Sequence, residues 1–151
     1  MGMRDHDQQV LIRPAQSKED LRRCFAVRLR VFVEEQSVPP SEELDAYDAV
    51  AQHFVAEWGG RVLGTARMVD LGDGVAKIGR VAVDKDWRGR GIGRALMEFV
   101  MTAAEARFHT LVLDAQVPVL GFYKKLGFVA EGEVFLDAGI PHRRMRRTIA
   151  R

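Results

Sequence analysis

The chain has 151 residues, 47% of them hydrophobic and 29% charged, and a formal net charge of +2. This length and balance predict one globular domain spanning 1–151 with a sizeable core, and they exclude a disordered or fibrous chain. The near-neutral charge argues against general nucleic-acid binding, and no apolar run approaches the roughly 20 residues that a membrane helix needs.

The first ten residues, MGMRDHDQQV, lack the apolar region of a secretory signal. Met1-Gly2 is a weak sign of myristoylation, because His6 stands where Ser or Thr is required. Cys24 is the one cysteine, which rules out an internal disulfide and suits a reducing, cytoplasmic setting. It lies in an apolar helical run and reads as a buried structural thiol rather than a nucleophile.

In chain order, 9–13 predicts a strand closed by Pro14. Ser17 caps a helix over 18–33, with Asp20 at its third position and an apolar stripe of Leu21, Phe25, Leu29 and Phe32. Pro39 and Pro40 end that pattern, and 36–49 reads as a loop with a fragment of helix that Ser41 could cap. Residues 50–58 and 61–70 predict a hairpin about Gly59-Gly60, and 75–83 a third antiparallel strand after the turn Gly72-Asp73-Gly74. A helix over 91–107 follows, with Ile92, Ala95, Leu96, Phe99, Val100 and Ala103 on one face. A buried strand at 110–115, a helix at 117–126 framed by Pro118 and Gly127, and strands at 128–136 and 143–149 joined by DAGIPH complete the reading. The class is α/β with a sheet of mixed strand directions.

The segment from Arg80 to Leu96 carries the chemistry. Three arginines (Arg88, Arg90, Arg94) and three glycines (Gly89, Gly91, Gly93) fall within seven residues, between a strand and a helix. Glycine-rich turns let successive backbone N–H groups converge, a helix start adds partial positive charge, and guanidinium forks suit phosphate oxygens. The sum is a site for a compact anion, most plausibly a pyrophosphate; the alternative is a tight turn with solvated arginines. Gly91-Ile92-Gly93-Arg94 lacks the Gly-Lys-Ser/Thr of a P-loop, and glycines spaced by one residue each do not make the dinucleotide fingerprint. That leaves another pyrophosphate carrier, of which coenzyme A is the obvious one.

Here a family resemblance becomes specific. Arg88-x-x-Gly91-x-Gly93 resembles the Q/R-x-x-G-x-G/A signature of the GCN5-related N-acetyltransferase (GNAT) superfamily, and Val81-Ala82-Val83 is similar to the strand before it. PVLGFYKKLGF (118–128) resembles the second acetyl-CoA motif, while RVFVEEQSVP (30–39) and EVFLDAGIPHRRM (133–145) resemble the bacterial ElaA/YjcF-like branch. Gln116 departs from the pattern where many members carry Asn, though the amide is kept.

The resemblance implies a mixed, mostly antiparallel sheet of six or seven strands, flanked by helices and splayed between strands 4 and 5. It implies acetyl-CoA as co-substrate, no metal, and direct acetyl transfer to the primary amine of a small-molecule acceptor in a ternary complex. The cofactor-binding residues it implies are Val81, Ala82, Val83, Arg88, Gly89, Arg90, Gly91, Ile92, Gly93, Arg94, Gln116, Phe122, Tyr123 and Lys125. Tyr123 resembles the general acid, since a phenol stays protonated at neutral pH and can serve a departing thiolate. A backbone N–H near Val83 is the implied oxyanion donor, a kind of contact that lowers a barrier by roughly 3 kcal/mol. Dimers are common in such families, so a homodimer is among the expected assemblies.

A general base must take the acceptor's proton, and Glu34, Glu35, His53, Glu57 and His142 are candidates, with His142 and Glu35 first. The histidines stand apart at 6, 53, 109 and 142, without metal-ligand spacing, and no G-x-S-x-G turn suggests a serine nucleophile. HRRMRR (142–147) reads as solvated, or as an attraction for an acidic acceptor. The rival readings are a non-catalytic acyl-CoA-binding or sensing domain, against which Tyr123 argues, and a basic nucleic-acid or protein module, against which the near-neutral charge argues.

Overall fold

The computed structural model describes residues 9–149, so Met1-Gly2 and His6 lie outside the described residues. Seven strands form one sheet in the order β1-β2-β3-β4-β5-β7-β6. They are β1 (Leu11–Pro14), β2 (Gln52–Trp58), β3 (Arg61–Gly72), β4 (Val75–Val83), β5 (Thr110–Gln116), β6 (Val129–Asp137) and β7 (Ile140–Thr148). Every neighbouring pair is antiparallel except β4 and β5, which run parallel.

Side chains alternate across the sheet, as the pleat requires. Phe54, Ala56, Leu63, Leu113, Ala115 and Met145 join one core beneath α3 (Ile92–Glu105). Val55, Val62 and Ala82 point the other way and pack with Cys24, Val27 and Val31 of the first helical segment. Among the described residues no helix is long and apolar enough to cross a membrane.

That first segment differs from the sequence expectation. It is α-helical as α1 (Lys18–Arg28), capped by Ser17 accepting from the Asp20 N–H, and then widens into π-type turns over Leu29–Glu35. Its buried face is Asp20, Cys24, Val27, Arg28 and Val31, while Leu29, expected in the core, is 47% exposed. A hydrophobicity pattern misses this face because two of its members are paired charges. Arg13 bonds both Asp20 oxygens, and Arg28 is fully buried among carboxylates. Cys24 is buried as expected, its Sγ 3.7 Å from the Phe54 carbonyl.

The 36–49 connection holds two short helical turns, α2 (Pro40–Glu43) and a 3₁₀ turn at Ala46–Ala49. Pro40 opens α2 rather than ending a helix, and Ser41 lies inside it rather than capping it. The connection is fastened by six charges. Arg28 contacts Glu43 at 2.9 Å and Asp48 at 2.7 Å, Arg67 contacts Asp45 at 2.7 Å and Asp48 at 2.9 Å, and Arg80 reaches Glu43 at 2.9 Å and Asp45 at 3.2 Å. Three guanidinium groups face three carboxylates, so the cluster is balanced and each charge has fixed partners. Burial pulls the Arg80 guanidinium below its ordinary value, and Arg67 and Arg28 beside it add to that pull.

Two further boundaries move, and the buried face of α3 differs. The helix expected over 117–126 is a 3₁₀ turn at Val117–Val119 leading into the short α4 (Leu120–Lys124). DAGIPH is not a loop. Only Ala138 and Gly139 turn, with φ of +51° and +76°, and Ile140-Pro141-His142 belong to β7. The buried face of α3 includes Met97, Met101 and Ala104, with Ala95 turned to solvent.

Arg28→Ala would strand Glu43 and Asp48 in the interior. It is expected to lower the unfolding free energy by about 3–5 kcal/mol, read from urea denaturation, with a loss under about 1 kcal/mol contradicting the account. Stability should also fall with acid. Burial alone would raise the Asp48 pKa, but the Arg28 hydrogen bonds hold it well below the carboxylate range, and Arg13 does the same for Asp20. Both are lower in the folded than in the unfolded chain, so their stabilisation is complete above about pH 4 and is lost as pH drops below that. Urea midpoints measured from pH 7 to 3 should show that loss, and Asp48→Asn should lessen it.

Candidate active site

β4 and β5 pair only through Val75–Thr110, Ala76–Leu111 and Lys77–Val112. Beyond Lys77 they diverge, and residues 78–83 of β4 have no strand beside them on the β5 side. A bulge in the β3–β4 ladder sits at the same place, where Thr65 pairs with Ala82 but Arg67 with Gly79. Arg80, in the extra stretch, has φ of +51°, a left-handed conformation that costs a non-glycine residue of order 1–3 kcal/mol. The ion cluster holds it there.

A cavity of about 920 Å³ fills the divergence, large enough for an extended cofactor. Val81, Ala82, Val83, Arg88, Gly89, Gly91, Ile92, Gly93, Arg94, Gln116, Phe122, Tyr123 and His142 all line it. Three expected residues do not. Lys125 is exposed at the C-terminal end of α4, Arg90 lies over the Trp87 ring at 4.6 Å, and Glu35 pairs with Arg88. Of the other base candidates, Glu34 is exposed, Glu57 is paired with Arg13, and His53 is buried with Nε2 3.0 Å from the Asp48 carbonyl; none lines the cavity.

At the open end, the loop between β4 and α3 has the form an anion site needs. Gly89 and Gly91 have φ of +77° and +81°, and a Cβ built on either would meet no atom within 4 Å, only the open space of the cavity. Gly91 is the N-cap of α3 and offers no side-chain oxygen, so the first amides of the helix keep their donors for a ligand. The residues present thus fit a pyrophosphate. The π-type turns brace this loop: Arg30 forks onto Asp84 at 2.8 and 2.9 Å, and Glu35 takes both terminal nitrogens of Arg88 at 2.8 Å. Arg88 Nε also donates to the Val83 carbonyl at 3.0 Å, and Arg94 pairs with Glu98.

Deeper in, Tyr123 packs edge-on to Phe122 and Phe128, and burial pushes its phenol up to about 12. Its hydroxyl has no hydrogen-bond partner among the described residues. Gln116 donates from Nε2 to Gln36 Oε1 at 2.8 Å, joining the two sides of the gap. His142 stacks on Phe135, and its Nδ1 lies 2.7 Å from the Ile140 carbonyl. A carbonyl only accepts, so Nδ1 carries the proton and Nε2 of the neutral ring holds a lone pair. Sequence reasoning passed over Gln36, Arg67, Lys77, Arg80 and Asp114, which also line the cavity, as does Arg144 of the HRRMRR run read as solvated or as an attraction for an acidic acceptor. Arg67, Lys77, Arg80 and Asp114 are charged residues inside otherwise apolar strands, and a charge in such a run was the available signal. Among the described residues, no three His, Cys, Asp or Glu side chains gather as a metal site would require.

The chain matches the family described as Acetyltransferase (GNAT) domain over residues 12–149. It is 38% identical over 135 residues to the uncharacterised N-acetyltransferase YjcF of Bacillus subtilis, covering 88% of this chain and 96% of that protein. The crystal structure of an acyl-CoA N-acyltransferase from Pseudomonas aeruginosa superposes with a TM-score of 0.81 at 33% identity, covering 93% of this chain and 99% of that one. Escherichia coli ElaA does so with a TM-score of 0.83 at 26% identity, covering 92% and 99%. With a splayed strand pair, a glycine loop at a helix start and these relatives, the chain belongs to the GNAT acetyltransferase family, is related to its ElaA/YjcF-like branch, and is an acetyltransferase that uses acetyl-CoA.

Proposed function

We propose that the protein transfers the acetyl group directly to the primary amine of a small acceptor, with both substrates bound at once. The single observation that supports this reading best is the through-cavity itself: one continuous space runs from the glycine loop past Tyr123 to His142. No relay residue is needed, because Cys24 is buried on the α1 side, outside the cavity lining.

In this reading the loop amides and Arg88 hold the diphosphate, and the free β4 edge from Val81 to Val83 receives the amide groups of the pantetheine arm. When bound, acetyl-CoA supplies an activated acyl carbon and a thiolate leaving group. His142 Nε2 accepts the proton that leaves the acceptor nitrogen as the C–N bond forms and the C–S bond breaks. Tyr123, held protonated by burial, donates a hydrogen bond to the departing sulfur, which takes its own proton from water. Glu35, outside the cavity lining, orients Arg88 rather than acting on the acceptor. A backbone N–H near Val83 would steady the carbonyl oxygen.

Tyr123→Phe is expected to lower kcat by about 10²–10⁴, in thiol-release assays with an amine panel, while calorimetry shows CoA affinity unchanged. Equal turnover would remove the phenol from the mechanism. Arg88→Ala should weaken CoA binding by about tenfold to a hundredfold and soften its dependence on salt, whereas Arg90→Ala, at a residue seated on Trp87, should do less. Unchanged affinity in Arg88→Ala would contradict the diphosphate assignment.

A further inference from the structure

At the closed end of the gap, three charges meet on the cavity wall. Lys77 Nζ lies 3.0 Å from Asp114 Oδ2, and Arg144 Nε donates to Asp114 Oδ1 at 2.6 Å. Lys77 belongs to the last β4–β5 pair, and Asp114 faces Arg144 across β5 and β7, so backbone register fixes all three. Burial works against the Asp114 charge, but Arg144 and Lys77 keep its pKa below the ordinary value. One carboxylate between two cations leaves one positive charge in excess. The terminal nitrogens of Arg144 have no partner among the described residues, and its side chain is 38% exposed.

The place of this charge matters. Leu113, Ala115 and Met145 point into the core beneath α3, so their strand neighbours Asp114, Gln116, Arg144 and His142 share the opposite face. Arg144 and His142 are two residues apart, about 7 Å along β7. Asp137, on the adjoining strand, lines the same cavity with its carboxylate unpartnered among the described residues. A site with a lone-pair nitrogen at one point, a forked cation one short span away and a free carboxylate beside them is complementary to a zwitterion.

On the basis of the transfer reaction proposed above, we infer that the acceptor is an amino acid, whose carboxylate is held by Arg144 with Lys77 while its amine lies at His142. The single excess charge suits a monoanion better than a phosphate dianion, and it repels the second ammonium of a diamine. Asp137 attracts the acceptor's ammonium before the proton is removed.

The test measures thiol release from acetyl-CoA with glycine, β-alanine and 4-aminobutyrate, each beside its own amide, and with 1,4-diaminobutane. At least one acid is expected to exceed its amide by about tenfold or more in kcat/KM. Arg144→Gln should raise KM for that acid and bring the acid-to-amide ratio to about one, while Arg144→Lys keeps part of the preference. Amides or the diamine serving as well as the acids would overturn this inference and leave the N-acetyltransferase reading intact. No thiol release with any amine would count against that reading instead. The inference would then be judged by calorimetry with N-acetyl-4-aminobutyrate on the CoA-loaded protein: binding weakened by Arg144→Gln supports it, and no binding overturns it.

Discussion

Beyond Lys77 the backbone of β4 has no neighbour on the β5 side, and polar groups along that edge must find partners elsewhere. Everything else in the site is arranged about this parting of two parallel strands. A parallel pair that simply continued would close the sheet and leave no cavity. Here the pairing stops after three residues, the β3–β4 ladder bulges, and Arg80 takes a left-handed conformation. The strain is local, and the six-charge cluster of Arg28, Arg67, Arg80, Glu43, Asp45 and Asp48 is what fixes it. Ion pairs buried in this way add little net stability, but removing one partner leaves the other charge unpaired.

The sheet's two faces then divide the work. The α3 side is an apolar core that also holds Tyr123 and Phe122 against the gap. The other side carries the polar groups: Gln116, His142, Lys77, Asp114 and Arg144. The gap connects the two faces, so a thioester laid along β4 meets a phenol from one side and an amine acceptor from the other. The π-type turns after α1 belong to the same design. Widening the helix there brings Arg30, Glu35 and Gln36 to Asp84, Arg88 and Gln116 in succession, tying the loop and both walls to one segment.

Much of this was readable from residues alone, and the parts that were not share a cause. β4 at 75–83 was legible because the turn glycines Gly72 and Gly74 mark its start and the charged Asp84-Lys85-Asp86 follows its end, and the anion loop was legible because its glycines and arginines are local in sequence. The buried face of α1 was misread because Asp20 and Arg28 look like surface residues until their partners at Arg13, Glu43 and Asp48 are brought in from elsewhere. Asp114 was passed over for the same reason, and Arg144 was read only as one of a basic run, since their pairing depends on a β5–β7 register that no local pattern encodes. Ala138-Gly139 was missed as a two-residue turn because alanine rarely takes φ of +51°.

The central claim is that the free β4 edge and the amides of the glycine loop are what receive acetyl-CoA. Amide hydrogen exchange, measured residue by residue with and without CoA, tests it most directly. Protection should rise at Val81 and Val83 and at the loop and helix start from Gly89 to Arg94, with β1 and β2 unchanged. Protection that leaves those amides untouched, or that gathers on another surface, would contradict the account.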